Sequence, residues 1–192
     1  MQIIIGSDHA GYELKERLVE KLRQEGMEVE NDTEELNANR LVILEMLFVE
    51  GNHFCPACEK SGNCDLQALA YRYRMMAPRF TYFFTPKQLD ASNSKLMLER
   101  NRCILCKRCV RGIRTEEGKS VFAFNRRGKQ IDIVIDPQQG ETLSDETAQK
   151  AMDICPVGAI IRKEKGFDTP IGKRKYDTRP IGTESENSES IP

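Results

Sequence analysis

The chain opens on a short apolar run, Gln2-Ile3-Ile4-Ile5, followed by a loop with two glycines, Gly6 and Gly11. The run predicts a strand. Leu14, Leu18, Val19 and Leu22 then recur at helical spacing among charged residues, and Gly26 stands where a helix C-cap is expected. Residues 32–50 predict a longer core helix. Asp32 or Thr33 can cap it, Glu35 lies in its first turn, and Leu36, Leu41, Val42, Leu44, Leu47 and Phe48 form a wide apolar stripe that Gly51-Asn52 ends. Leu66, Leu69, Ala70 and Tyr73 predict a short helix, and residues 76–93, rich in prolines and aromatics, read as irregular. Residues 96–99, 121–124, 131–135 and 159–161 read as strands, the middle two joined by a turn at Arg126-Arg127-Gly128-Lys129. Ser144 caps a helix that runs to Ile154, and the polar, acidic tail from Thr183 onward reads as disordered.

Length and composition narrow the class. A chain of 192 residues forms one or two small domains with a modest core. It is 31% charged and 39% apolar, as expected of a soluble protein, and its net charge of -1 argues against bulk electrostatic binding of nucleic acid. The longest apolar run, Leu41 to Val49, is broken by Glu45 and is too short to span a bilayer. The N-terminus has no secretory signal pattern, which points to the cytoplasm. Seven cysteines in such a chain read as metal ligands rather than as disulfides.

The cysteines carry the chemistry. Cys103, Cys106 and Cys109 stand in the spacing C-x2-C-x2-C, and Cys155-Pro156 follows far downstream. Three thiolates from one compact loop and a fourth from elsewhere are the parts of a bacterial-type [4Fe-4S] site: two-residue gaps let one loop wrap three corners of a cubane, and a remote thiolate closes the fourth. Proline after the closing cysteine offers no N–H and sets the chain direction. A structural zinc site also uses C-x2-C pairs, but usually as two separate knuckles. The second group, Cys55, Cys58 and Cys64, is spaced C-x2-C-x5-C, with His53 just upstream. Imidazole can replace thiolate at iron, as in Rieske centres. A zinc ion bound by one histidine and three cysteines, a merely packing His53, or closure by water, Glu50 or Glu59 are the other readings of this group. Arg102, Lys107, Arg108, Arg111 and Arg114 crowd the later group; they read as a solvated basic face or as compensating charge for an anionic cluster. Nucleic-acid binding, the third reading, is disfavoured by the near-zero net charge and the absence of RNA or DNA fold motifs.

Two resemblances follow from these stretches. Residues 5–15, Ile5-Gly6-Ser7-Asp8-His9-Ala10-Gly11-Tyr12-Glu13-Leu14-Lys15, resemble the opening of the type B ribose-5-phosphate isomerases, which implies that Asp8 and His9 would face a sugar-phosphate pocket. The likeness stops near Gly26-Met27. The base cysteine, the glycine-rich anion loop and the later catalytic histidine of that family have no counterpart.

From about Met27 to Gly182 the chain resembles the diaphorase iron–sulfur subunit of cytoplasmic NAD-reducing [NiFe] hydrogenases, and more distantly the N-terminal part of the large iron–sulfur subunit of respiratory complex I. The matching stretches include Glu50 to His53, Glu59 to Ala68, Arg79-Phe80, Asn101 to Cys109, Ile154 to Ala159 and Pro170-Ile171-Gly172. The resemblance implies two [4Fe-4S] clusters, one held by His53, Cys55, Cys58 and Cys64, the other by Cys103, Cys106, Cys109 and Cys155. There are two departures. Complex I-type members place the histidine four residues before the first cysteine, where this chain has Gly51 and only His53 can serve. Family members also usually begin with a plant-type [2Fe-2S] domain, whose C-x4-C-x2-C signature is absent here, the isomerase-like fragment standing in its place.

The expected architecture is α+β. A βα fragment at 1–28 precedes a helical [4Fe-4S] module at 29–78 with one-histidine, three-cysteine ligation, then a bacterial ferredoxin-like [4Fe-4S] module at 79–182 and a tail at 183–192. The expected function is electron transfer between a flavoprotein NAD(H)-binding subunit and a hydrogenase small subunit or its equivalent, with no substrate site, nucleic acid or transmembrane segment. A sugar-phosphate isomerase fragment and a zinc-stabilised interaction module are the alternatives.

Overall fold

The structure is a computed structural model that describes residues 2–4, 12–30, 32–84 and 86–183. The chain divides into two compact units, 1–43 and 44–192.

In the first unit, β1 (Gln2–Ile4) pairs in parallel with β2 (Glu28–Glu30), Ile3 opposite Val29, and α1 (Tyr12–Gln24) connects them. Helix α1 ends as its sequence predicts. Gly26 takes φ +76°, and the Met27 amide reaches back to the Leu22 carbonyl at 3.0 Å, the long bond of a Schellman turn. The expected βα fragment is thus a βαβ unit. Its second strand escapes notice in the sequence because Glu28-Val29-Glu30 holds one apolar residue between two glutamates; it forms by pairing with the edge of β1. Two strands cover little of a helix. Val19 and Val29 are buried, while Leu14 is 61% exposed. Asp8 and His9 lie outside the described residues.

Helix α2 (Glu34–Glu50) contains the boundary between the units. Thr33 caps it, Oγ1 accepting from the Leu36 amide at 3.2 Å. In the second unit Leu44, Phe48 and Val49 are its buried apolar residues. Beyond it, α3 (Asp65–Arg72) follows the first cysteine group, and α4 (Arg108–Gly112) carries the end of the C-x2-C-x2-C loop. Strand β3 (Leu96–Leu98) pairs antiparallel with β6 (Ile160–Arg162), and β4 (Phe122–Asn125) pairs with β5 (Asp132–Ile135). Two short helices, α5 (Pro137–Glu141) and α7 (Lys175–Thr178), were not legible as periodic patterns. Between them α6 (Asp145–Ile154) starts at Ser144, whose Oγ accepts from the Thr147 amide at 3.1 Å, and ends at Cys155. One hydrophobic core, including Phe48, Leu66, Leu96, Ile113, Phe122, Ala148 and Ile160, runs without a break past both cysteine groups.

The buried stripe of α2 contains an acid. Glu45 is 2% exposed and is held by Arg79 in a two-pronged contact, Nε to Oε1 at 2.9 Å and Nη2 to Oε2 at 2.7 Å. These hydrogen bonds hold the Glu45 carboxyl below its ordinary range against the opposing effect of burial. A carboxyl so lowered stabilises the fold above its ordinary titration range and loses that contribution as pH falls through the lowered value. Arg79→Met should lower the unfolding midpoint at neutral pH, with a penalty that shrinks as the pH drops below the carboxylate range. Thermal melts of variant and wild type across that range check both parts.

Candidate metal centres

The first group is built on turns. Cys55 opens a 3-10 turn, Cys55–Ala57, with Pro56 in its first positions, and the Cys58 amide closes back on the Cys55 carbonyl at 3.2 Å. Cys64 is the N-cap of α3, its sulfur 3.4 Å from the Gln67 amide. The Gln67 side chain in turn accepts from the Gly62 amide at 2.7 Å, which fixes the loop between Cys58 and Cys64. The three sulfurs and the His53 ring line one cavity together with Ser61, Gln67, Arg102 and Gly158.

His53 follows the end of α2, its ring 5.4 Å from that of Phe48. Burial first, and the Arg102 guanidinium second, lower its pKa to about 4, with a hydrogen bond to the Leu47 backbone acting the other way. The imidazole is therefore neutral at pH 7, and its Nε2 is buried with no hydrogen-bond partner among the described residues. A neutral ring with a buried, unused nitrogen is what a metal ligand requires. Gly51 gives the ring its space: a Cβ there would lie 2.5 Å from Nε2.

The second group occupies a tighter loop. Leu105 and Lys107 both adopt left-handed conformations, φ +54° and +66°, which curl the backbone between Cys103 and Cys109. Cys155 arrives from the end of α6. Cys103, Cys106, Cys109 and Cys155 line a second cavity whose other walls are mostly aliphatic, Leu98, Ile104, Ile133, Val157 and Ile160 among them.

The described cysteines are all free thiols. Burial, joined by repulsion from neighbouring thiolates, pushes Cys109 and Cys64 up to about 12 and Cys103 up to about 11. Cys155 is raised by burial too, although the Val157, Ile160 and Ala159 amides point at its sulfur and oppose the shift. Thiolates gathered in such places need a bound cation to exist as thiolates, so the donor set fits a metal group. Among the described residues, no three His, Cys, Asp or Glu side chains converge closely enough to grip a single ion.

The two groups are in contact. The Asp65 amide, next to Cys64, donates to the Pro156 carbonyl, next to Cys155, at 2.8 Å. Gly158 packs on the first group so closely that a Cβ would lie 2.5 Å from the Cys58 sulfur. The chain after β6 also returns to the first group: the Tyr176 amide donates to the Gly62 carbonyl at 2.9 Å, and the Lys175 amide to Asn63 Oδ1 at 2.9 Å.

The basic residues separate. Lys107 lines the second cavity, its Nζ 5.7 Å from the Phe124 ring centre, and Arg111 and Arg114 are exposed. Arg108 pairs with Asp65 at 2.9 Å. Arg102, expected at the second group, turns instead to the first cavity, its Nη1 donating to Glu59 Oε2 at 2.7 Å and to the Gly158 carbonyl at 3.3 Å. Gly158 and the buried Lys60 carried no sequence signal beyond membership of the matched stretches.

Comparison with known proteins finds relatives over both cysteine-bearing stretches. Residues 40–79 match the NADH-ubiquinone oxidoreductase-G iron-sulfur binding region, and residues 94–161 match the ferredoxin-like domain of NADH-quinone oxidoreductase subunit 3. The chain is 44% identical over 157 residues to the NAD-reducing hydrogenase HoxS subunit gamma of Cupriavidus necator, a match spanning 81% of this chain and 67% of that subunit. The chain belongs to the family of NAD-reducing hydrogenase gamma subunits. A chain in the crystal structure of an NAD+-reducing [NiFe]-hydrogenase in the H2-reduced state superposes with a TM-score of 0.69 at 46% identity, over 79% of this chain and 65% of that one. The 78 kDa subunit of mitochondrial NADH-ubiquinone oxidoreductase from Candida albicans is 32% identical over 75% of this chain, but only 20% of that subunit is matched. Residues 3–40, in the first unit, match the Ribose/Galactose Isomerase family. Both iron–sulfur matches fall on the helix and strand arrangement described above, and no helix among the described residues is long and apolar enough to cross a membrane.

The contact at Gly158 makes a specific demand. Gly158→Ala forces Cys58 to shift, at a cost of about 1–3 kcal/mol for overpacking, and should lower the iron bound at the first group while sparing the second. Iron content and the EPR spectrum of the reduced protein report on each.

Proposed function

We propose that this chain relays single electrons through two [4Fe-4S] clusters, between a flavoprotein NAD(H)-binding subunit and a hydrogenase small subunit or an equivalent acceptor, in the cytoplasm. His53, Cys55, Cys58 and Cys64 hold one cluster. Cys103, Cys106, Cys109 and Cys155 hold the other. Each cluster, when bound, accepts and releases one electron without needing a substrate pocket.

The observation that carries this reading is the sorting of the ligands. Seven thiols, of which only Cys106 is exposed, and one neutral imidazole fall into two cavities, four strong ligands to each. A cubane needs donors spread around a volume, whereas zinc needs four donors at roughly 2.0–2.3 Å from one point; among the described residues the donors line cavity walls and no three converge on one point. The chain's residues act as the first coordination layer and its insulation. His53 offers Nε2 from a buried ring, backbone amides point at the Cys155 sulfur, and aliphatic side chains wall the second cavity. For partners, Glu45 takes up Arg79, and the neighbouring Phe80, Tyr82 and Phe83 stand exposed as an aromatic run of the kind enriched in interfaces. The isomerase alternative has only the first unit behind it.

Metal analysis of anaerobically purified protein tests the reading: about eight iron and eight sulfide per chain are expected, and zinc without sulfide would sink it. His53→Cys should keep the first cluster at a lower potential, since imidazole carries one negative charge fewer than thiolate. His53→Ala should leave a labile or three-iron centre with the Cys103 site intact. A four-iron cluster with unchanged potential and line shape in His53→Ala would show that His53 is not a ligand. Purification from the native host should bring down a flavoprotein, and NADH oxidation by the isolated chain would contradict the relay.

A further inference from the structure

We propose that the two cysteine loops exchange cations, so that Lys60, from the loop of the first group, sets the potential of the second cluster, and Arg102, from the loop of the second group, sets the potential of the first. The inference rests on the reading of both groups as [4Fe-4S] sites.

In sequence each cation belongs to the opposite centre. Lys60 stands between Cys58 and Cys64, and Arg102 directly precedes Cys103. In space they cross. Lys60 is 4% exposed and lines neither cavity. Its Nζ donates to the Met152 carbonyl at 2.6 Å, in the last turn of α6, three residues before Cys155. Arg102 does not line the second cavity; it lines the first with His53, Cys55, Cys58 and Cys64. The close contact of Gly158 with Cys58 is what lets the two side chains pass each other: a Cβ at 158 would meet Lys60 Cβ at 3.3 Å and Arg102 Cδ at 3.4 Å.

The consequence is electrostatic. Reduction adds an electron to an already anionic core, so a buried cation favours the reduced form more than the oxidised one, and low surrounding polarity extends its reach. The two cations are not equal. Arg102 is paired with Glu59 at 2.7 Å, which offsets much of its charge. Among the described residues Lys60 contacts a carbonyl and no carboxylate. Lys60 should therefore have the larger effect, and Glu59 should act as a brake on Arg102.

The test is EPR-monitored redox titration of the full chain with both clusters, with the second signal assigned through Cys106→Ser. Lys60→Gln keeps a donor for Met152 and removes the charge. It should lower the reduced-to-oxidised ratio of the second cluster at a fixed potential by about tenfold, equivalent to about 59 mV for a one-electron couple, and move the first cluster less. Arg102→Gln should lower the first cluster and spare the second. Glu59→Gln should raise the first alone. Lys60→Arg and Arg102→Lys, which keep the charges, should stay near wild type. Equal shifts of both clusters, larger shifts of the own-loop cluster, or no shift would each overturn the proposal. If Lys60→Gln does not retain its clusters, Arg102→Gln carries the test: a downward shift of the first cluster larger than that of the second, although Arg102 adjoins Cys103 in sequence, supports the exchange, and its absence overturns it. Wild-type protein lacking two clusters' worth of iron and sulfide counts instead against the [4Fe-4S] reading itself.

Discussion

The second unit depends on the contact between two loops that are far apart in sequence. The hydrogen bond from the Asp65 amide to the Pro156 carbonyl ties the residue after Cys64 to the residue after Cys155. Two residues on, Gly158 lies against the Cys58 sulfur. The first contact is backbone to backbone, and the second is open only because residue 158 has no side chain, so the two cysteine groups are held close together. The single core around them follows from the same constraint: Leu66 of α3 and Val157 beyond Cys155 pack into one cluster because the loops that carry them are bonded together.

That closeness creates an electrostatic problem that the fold answers locally. Buried thiols near one another resist ionisation, as the raised Cys64, Cys103 and Cys109 show. Amides aimed at Cys155 and the cations of Lys60 and Arg102 supply positive potential where metal-bound thiolates would collect negative charge. Ion pairs at the edge, Arg108 with Asp65 and Arg102 with Glu59, then pin the cysteine loops to each other. The final segment, α7 and its flanks, covers the loop of the first group from outside through Gly62 and Asn63.

Much of this was legible in the sequence because its signals are local. The Ser144 cap and the helix from it to Cys155, the paired strands around Arg126 to Lys129, and the helix after Cys64 all follow from spacing within a single element. Strand β2 was not legible, because its one apolar residue acquires strand geometry only from β1. The direction of Arg102 was misread for a similar reason. Adjacency to Cys103 placed it at the second group, but the carbonyl of Gly158 and the carboxylate of Glu59 turn its side chain to the first.

The sequence by itself determined which residues are available to ligate: two groups of cysteines at set spacings, with His53 just before the first, in the stretches that the iron–sulfur family matches cover. It could do so because ligand identity and loop length are properties of contiguous residues. The tertiary structure alone decided which charges face which centre, that Glu45 is buried and needs Arg79, and that two cysteine groups share one core. Those are relations between residues tens of positions apart. They arise when backbone contacts such as Asp65 to Pro156 bring the loops together, and no periodicity along the chain records them.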